Sequence, residues 1–329
     1  MTIRKLAEIT GYSISTVSKA FSNKKDVSEI AKRDIIEKAK ELGCYEKFCK
    51  ENYDRKIIAV LCPEAHSQFY SKILSVLNTL IEERGGTMAI SLTDFSKSKE
   101  EKLLGLYSRN NRADGIMLLG NGNIVKKYSP VPVVSFHGAQ NQNADVVNLD
   151  SSYGFCEAVQ YLKALEHERI AFIGEKYTLG KAKHFISAME NAGLEVDNSL
   201  VLTNPNSRFE QAGFDSMNEL LRIPSPPTAV ITAYDNVALG AIQAIEKHGL
   251  KVPEDISVIG CDDMGIASYY KIALSSINLN IEEACKMAVE TLFYKIFNPS
   301  YCIIKSVNVH SKFIDRKTVT TPKNNPLKG

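Results

Sequence analysis

From Ile57 onward the chain alternates short apolar runs with stretches whose apolar residues recur at helical spacing, and this alternation narrows the possible folds most. The runs IIAVLC (57–62), TMAISL (87–92), GIMLLG (115–120), PVVSF (132–136) and DVVNL (145–149) read as strands. A second series follows in RIAFIG (169–174), LVLT (200–203), TAVIT (228–232) and DISVIG (255–260). Amphipathic helices are expected between them, for example over 69–83, 154–165 and 236–248. Strands that are apolar throughout must be covered on both faces, which calls for parallel sheets with helical crossovers. Two successive series predict an α/β body of two doubly wound parallel-sheet subdomains over residues 57–317, with crossovers near 150–160 and 280–285. Such sheets bind small molecules in the cleft at their strand carboxyl ends. Gln68, Phe69 and His137 follow strand ends and are candidate lining residues, although His137 fits a surface or packed histidine equally well. The helix expected over 282–297 suits either a dimer surface or the core. The polar, proline-punctuated end, 318–329, is expected to be a disordered tail.

The first 45 residues follow another rule. Thr2 can cap a helix from Ile3 to about Thr10 whose inward positions are Ile3, Leu6, Ala7 and Thr10. Gly11 breaks it, and Ser13 can cap a second helix, 14–21, with Val17, Ala20 and Phe21 inward. Ser28 can cap a third, with Ile35, Ala39 and Leu42 facing the core. Three short helices with a tight first turn make a small all-α helix-turn-helix head, whose second helix enters the DNA major groove. Its outward residues are Ile14, Ser15, Thr16, Ser18 and Lys19, while Ser22, Asn23 and Lys24 reach the phosphate backbone. On spacing alone a plain three-helix bundle remains open. Charge is distributed in keeping with a DNA-facing end: residues 1–56 hold 13 Lys+Arg against 9 Asp+Glu, on a chain of net charge +2.

Other function classes find little support. The opening MTIRKLAEITGYS lacks the apolar core of a secretory signal, and no run of about 18 apolar residues marks a transmembrane helix. Seven scattered cysteines suit a reducing, cytoplasmic setting. Cys62 and Cys261 lie in strand-like runs, and Cys44 with Cys49 has metal-like proximity but no partner pair. No metal and no cofactor are expected. Gly174 to Ala182 nearly spells a phosphate-binding loop, but it is one residue too long and has alanine where Mg²⁺ needs a hydroxyl. GNGN at 120–123 lacks a third glycine, and neither a G-x-S-x-G elbow nor an H-E-x-x-H pair occurs. The chain is therefore not expected to be an enzyme. A transport-associated binding protein would share the body but would have no use for the head.

The stretch ITGYSISTVSKAFSN, followed by VS and AKELG, closely resembles the head of the lactose/galactose repressor family. That resemblance implies a transcriptional regulator in which Ile14, Ser15 and Lys19 read bases while Thr16 and Ser18 grip the backbone; the capping Thr2 and Ser13 are counted with the DNA-binding positions. It also implies a homodimer on a two-fold operator and a periplasmic-binding-protein-like body sensing a small effector. The run TAYDNVALGAIQAIEKHGLKVPEDISVIGCDDM resembles the family's second-half block, VNLDSSYG (147–154) its crossover, and Arg316 its closing arginine. By this resemblance Asp235 hydrogen-bonds effector hydroxyls; the residues alone fit a helix N-cap as well. Asp262-Asp263 suggests acid–base or metal work in isolation, but here is expected to cap the next helix and support the cleft, Asp262 being counted with the effector-binding positions. Lys181 falls at a family arginine, and Arg208 at a ligand-stacking aromatic, with Phe209 one position off. The implied ligand is a sugar or sugar derivative; two cations facing one cleft would favour an acidic or phosphorylated one.

The linker, 46–56, departs from the family. It lacks the Pro-Asn pair, places Glu51 at an arginine position and Tyr53 at the leucine position, and is about three residues short. A carboxylate is electrostatically wrong for the minor groove, so a less bent DNA complex that relies on the head is expected. Whether ligand releases or tightens DNA is left open by the residues.

Overall fold

The computed structural model describes the chain except residues 22–26, 49–54, 110–111, 121–128, 137–142, 270 and 324–329, with side chains 46, 47 and 266 also left out. Ser22, Asn23, Lys24, Glu51, Tyr53 and His137 thus lie outside the described residues. The chain divides into two compact units, Met1–Lys56 and Ile57–Gly329.

In the first unit, α1 (Ile3–Thr10), α2 (Ile14–Ala20) and α3 (Glu29–Glu41) each begin at a hydroxyl cap. Thr2 accepts from the Lys5 amide at 3.3 Å, Ser13 from Thr16 at 3.0 Å and Ser28 from Ala31 at 3.3 Å, satisfying amides that the helices leave unpaired. Gly11 ends α1 in the left-handed region, φ 74°, and its amide donates to the Ala7 carbonyl. Leu6, Val17, Ile35 and Ala39 are fully or almost fully buried. Leu42 does not face the core as expected: it is 39% exposed, because α3 has ended and Cys44 takes the inward place, its amide bonded to the Ala39 carbonyl. A short turn, α4 (Tyr45–Phe48), sets the rings of Tyr45 and Phe48 against Phe21, at 6.3 and 5.7 Å. Phe48 therefore packs on the head rather than beginning a free linker.

The body opens with β1 (Lys56–Cys62), α5 (Gln68–Glu83), β2 (Gly86–Leu92), α6 (Lys97–Ser108), β3 (Gly115–Leu118), β4 (Val133–Ser135) and β5 (Asp145–Asp150). The chain then crosses into α7 (Ser152–Ala164), β6 (Ile170–Glu175), α8 (Leu179–Asn191), β7 (Val201–Asn204), α9 (Phe209–Leu220), β8 (Ala229–Thr232), α10 (Asp235–Lys247), β9 (Ser257–Cys261), α11 (Gly265–Tyr269) and β10 (Ser275–Asn278). It returns through α12 (Ile281–Phe297) to β11 (Ser306–His310) and crosses once more to β12 (Lys312–Ile314). Among the described residues two six-stranded sheets result, ordered β11-β5-β4-β3-β1-β2 and β12-β10-β9-β8-β6-β7. β12 pairs antiparallel with β10, whereas β1–β3, β3–β4, β4–β5, β5–β11, β6–β7, β6–β8, β8–β9 and β9–β10 are parallel. There are thus three crossings, not two. The third was hidden because SVNVH and KFI form half-exposed edge strands without an apolar run.

Packing explains the remaining features. Helix α12 buries Ala284, Cys285, Ala288, Val289 and Leu292 against the first sheet, so its inner face is core. Helices α9 and α10 touch through Gly213 and Gly240: a Cβ on either would overlap the opposite helix's backbone, at Val237 and Glu210 respectively. The expectation of a disordered tail fails for residues 318–323. Thr318 is fully buried, donates to the Val258 carbonyl at 2.6 Å and accepts from the Ser275 amide at 2.9 Å. The Thr320 carbonyl bonds buried His167 at 2.8 Å, and Lys323 pairs with Asp255 at 2.6 Å. Polar composition was a poor guide here because the strap is held by backbone groups and hydroxyls rather than apolar side chains.

Candidate functional sites: a helix face and a cleft in the body

On α2, Val17 and Ala20 turn inward, which leaves Ile14, 48% exposed, with Ser15 and Ser18 at the surface and Lys19 half-buried. The Ser13 and Thr16 hydroxyls lie 2.8 Å apart, so these two stiffen the helix start. Tyr12 donates to Asp34 at 3.0 Å and fixes the turn against α3. The result is a short, rigid helix presenting one apolar side chain and two small hydroxyls, groups that suit a thymine methyl, base edges and phosphates.

In the body, a cavity of about 570 Å³ lies where the strand carboxyl ends of the two sheets face one another. Gln68, Phe69, Lys181, Asp235 and Asp262 all line it. Lys181, on α8, places its ammonium 2.6 Å from Asp262, 2.7 Å from the Ala233 carbonyl and 4.7 Å from the centre of the Tyr234 ring. Burial works most strongly against its charge, but the Asp262 carboxylate together with neighbouring groups more than offsets it and holds the lysine pKa above its ordinary value.

The adjacent aspartates do not cap a helix together. Both adopt positive φ, 94° at Asp262 and 48° at Asp263, which sends their carboxylates apart. Asp262 goes to Lys181, and Asp263 to Arg316 at 2.7 Å and Asn278 at 2.8 Å. The amide at the start of α11 is taken by Asp235 instead: one oxygen accepts from Met264 N at 2.7 Å, the other from Ser276 Oγ at 2.6 Å. Asp235 is thus not the N-cap of α10, a place held by Tyr234. Burial pushes its carboxyl up to about 7, against the opposing pull of the Ser276 bond.

Arg208 is not among the lining residues, although Glu64, Phe95, Tyr177 and Phe209 around it are. Its two terminal nitrogens grip Glu64 at 2.8 and 3.0 Å, and Nε donates to Glu175 at 2.9 Å. Phe209, one position on, supplies an aromatic wall, its backbone in the left-handed region at φ 53°. Two cavity residues gave no sequence signal: Ser151, at the first crossover, and His184, one helical turn beyond Lys181, whose Oγ and Nδ1 lie 2.8 Å apart. Burial, opposed by Asp150 and reinforced by Lys181, lowers the His184 pKa. Lys181 and Arg208 are thus each matched by carboxylates, while Lys97 also lines the cavity.

A helix-turn-helix unit joined to a two-sheet body with a cleft at facing strand ends defines a ligand-responsive DNA-binding regulator by architecture. The comparisons make the class specific. Residues 159–319 match the periplasmic binding protein-like domain. The ribose operon repressor of Escherichia coli (strain K12) is 30% identical over 315 residues, spanning 91% of this chain and 94% of that protein. The lac repressor dimer bound to operator and the anti-inducer ONPF superposes with a TM-score of 0.74 at 19% identity, covering 97% of this chain and 99% of that one. A ribose-bound LacI family regulator from Enterococcus faecium gives 0.69 at 22%, over 82% and 100%. This chain belongs to the LacI/GalR family of transcriptional regulators. No described helix is long and apolar enough to cross a membrane.

Proposed function

We propose that this chain acts in the cytoplasm as a homodimer on a two-fold operator, and that a small, neutral, polyhydroxylated ligand in the body cleft sets its DNA affinity. The observation that carries the ligand class is charge compensation: Lys181 is paired with Asp262 and Arg208 with Glu64 and Glu175, so no unpaired cation is offered to an anion by either. Carboxylate, amide and hydroxyl groups beside the aromatic faces of Phe69, Phe209 and Tyr234 suit a sugar ring, with polar edges and apolar faces. The ribose operon repressor and the ribose-bound regulator support the same chemistry by likeness. The DNA reading rests on the α2 face, and a two-fold site requires two heads. No catalytic step is assigned.

The test is selection of DNA from a random pool by the full chain, followed by titration of the recovered site at several salt concentrations. A two-fold symmetric site bound at least about a thousandfold above random DNA is expected. Weak, sequence-blind, salt-sensitive binding would instead make this a ligand sensor uncoupled from any operator.

A further inference from the structure

The two sheets of the body are joined at one edge and pinned at the other. All three crossings leave or enter β5, β10, β11 and β12, which lie together at one side of the two strand orders. At the opposite side stand β1-β2 and β6-β7, and the loops after these four strands carry a cluster that spans the cleft. Glu64, after β1, takes both terminal nitrogens of Arg208, after β7. The same guanidinium donates from Nε to Glu175, which is fully buried at the end of β6 and also accepts from the Phe209 amide at 3.2 Å. Phe95, after β2, stacks on Tyr177, after β6, with ring centres 4.0 Å apart and planes 9° from parallel. The Arg208 guanidinium lies 5.6, 5.0 and 4.4 Å from the centres of Phe95, Tyr177 and Phe209, and His66 meets Phe209 at 5.6 Å.

The backbone is bent to make this cluster. Asp94, Phe95 and Phe209 have φ of 54°, 56° and 53°, a region that bulky side chains adopt only when their surroundings enforce it. The Phe95 loop is tied to the Glu64 segment through Thr93 N to the Cys62 carbonyl, 2.8 Å, and Asp94 N to the Pro63 carbonyl, 2.9 Å. Stack and ion pair therefore form or break as one unit.

From this placement we infer that Arg208 is a positioning residue, the pin of a latch that closes the cleft on the side away from its hinge, so that ligand exchange requires the Glu64–Arg208–Glu175 bridge and the Phe95–Tyr177 stack to part. The inference rests on the cleft being the ligand site. Separating the sheets about the crossover edge moves the β1-β2 and β6-β7 loops furthest. The contacts of Glu64 with Arg208, of Phe95 with Tyr177 and Arg208, and of His66 with Phe209 all run between the subdomains.

The chain contains no tryptophan, so Phe95→Trp places a single indole in the stack. In the full chain carrying that reporter, Glu64→Gln removes the cross-cleft charge and keeps the side chain's shape. Expected are a rise of at least about twofold in acrylamide quenching of the introduced indole and, on the parent sequence, faster deuterium uptake over 93–96 and 176–178. D-ribose, the first probe, is expected to leave the Glu64→Gln protein about tenfold faster, with a smaller change in entry rate. Lys271→Met, which cuts the exposed pair with Glu246, serves as the matched control and is expected to change nothing. Unchanged quenching and exchange in Glu64→Gln overturn the latch. Failure of D-ribose and other neutral sugars to bind the parent chain counts against the ligand class, while the quenching and exchange readings still decide the latch by themselves.

Discussion

The reading face of the head and the cleft of the body use polar side chains in opposite ways. On α2 the outward hydroxyls and Ile14 are left at the surface, and rigidity comes from caps and a small apolar centre beneath. In and around the cleft several charged groups are committed to one another: Lys181 to Asp262, Arg208 to two glutamates, Asp263 to Arg316. On the proposed DNA face Ile14, Ser15 and Ser18 lie exposed, where a duplex would reach them. On the proposed reading the cleft offers a neutral ligand lone pairs and protons, with the charges of Lys181 and Arg208 already matched.

The sharpest way to break that comparison is to unpair the cleft. Asp262→Asn leaves the Lys181 ammonium buried beside a neutral partner and is expected to cost the body about 3–5 kcal/mol, read by denaturant unfolding, and to weaken ligand binding. Operator contacts of the head are expected to survive wherever the body remains folded. If body stability is unchanged, the pair is not what settles the charge of the site.

Cutting into the head is the converse. Ile35→Ala removes a fully buried side chain from a core of few residues and is expected to cost about 3 kcal/mol, enough to melt so small a unit. DNA binding is then lost while calorimetric ligand binding by the body persists. Simultaneous loss of both would show that the two units do not stand apart.

A titration sharpens the cleft side. With its carboxyl pushed up to about 7, folded Asp235 keeps a proton that the unfolded chain releases from about pH 4 upward. Its contribution to body stability therefore falls as pH rises through that window and levels off above it. Asp235→Asn is expected to flatten this part of the Tm–pH curve relative to the parent chain. Parallel curves for parent and variant would remove Asp235 as the cause.

The smallest effect concerns the head alone. Ser15→Ala, exposed on α2, is expected to leave stability within about 0.5 kcal/mol and to change the preferred base at one position of each half-site by about 1–3 kcal/mol, read by competition between site variants. A uniform loss over all sequences would make Ser15 a phosphate contact instead.

How much of this was readable in the sequence follows the same division. The head is local: caps, Gly11 and the inward set Leu6, Val17 and Ile35 lie within a few turns of one another, so periodicity revealed nearly all of it. It failed at Leu42 and Cys44, where a turn rather than a helix decides which side chain points in. Strongly apolar strands of the body were equally legible. Polar strands were not: SVNVH and KFI pair only at sheet edges, and SSIN, though interior and mostly buried between β9 and β12, has a single apolar residue to mark it. In the cleft, Gln68, Phe69, Lys181, Asp235 and Asp262 were found by position after strands or by family resemblance, and all line the cavity. The hold of Glu64 on Arg208 was not legible, because the two lie on different subdomains and spacing along the chain does not encode a long-range pairing. Ser151 and His184 escaped notice for the same reason. The departures in the linker, Glu51 and Tyr53, concern residues outside the described structure, and a DNA-bending assay on the selected operator checks the weak central bend they imply.

The coupling between the two regions is tested most directly by fluorescence anisotropy of the selected operator, titrated with the full chain in the presence of neutral pentoses and hexoses and, separately, of their phosphates. At least one neutral sugar is expected to shift operator affinity about fivefold or more, in either direction, with its phosphate ester ineffective. A shift produced by phosphorylated sugars alone would contradict the neutral-ligand reading that the pairing of Lys181 and Arg208 supports.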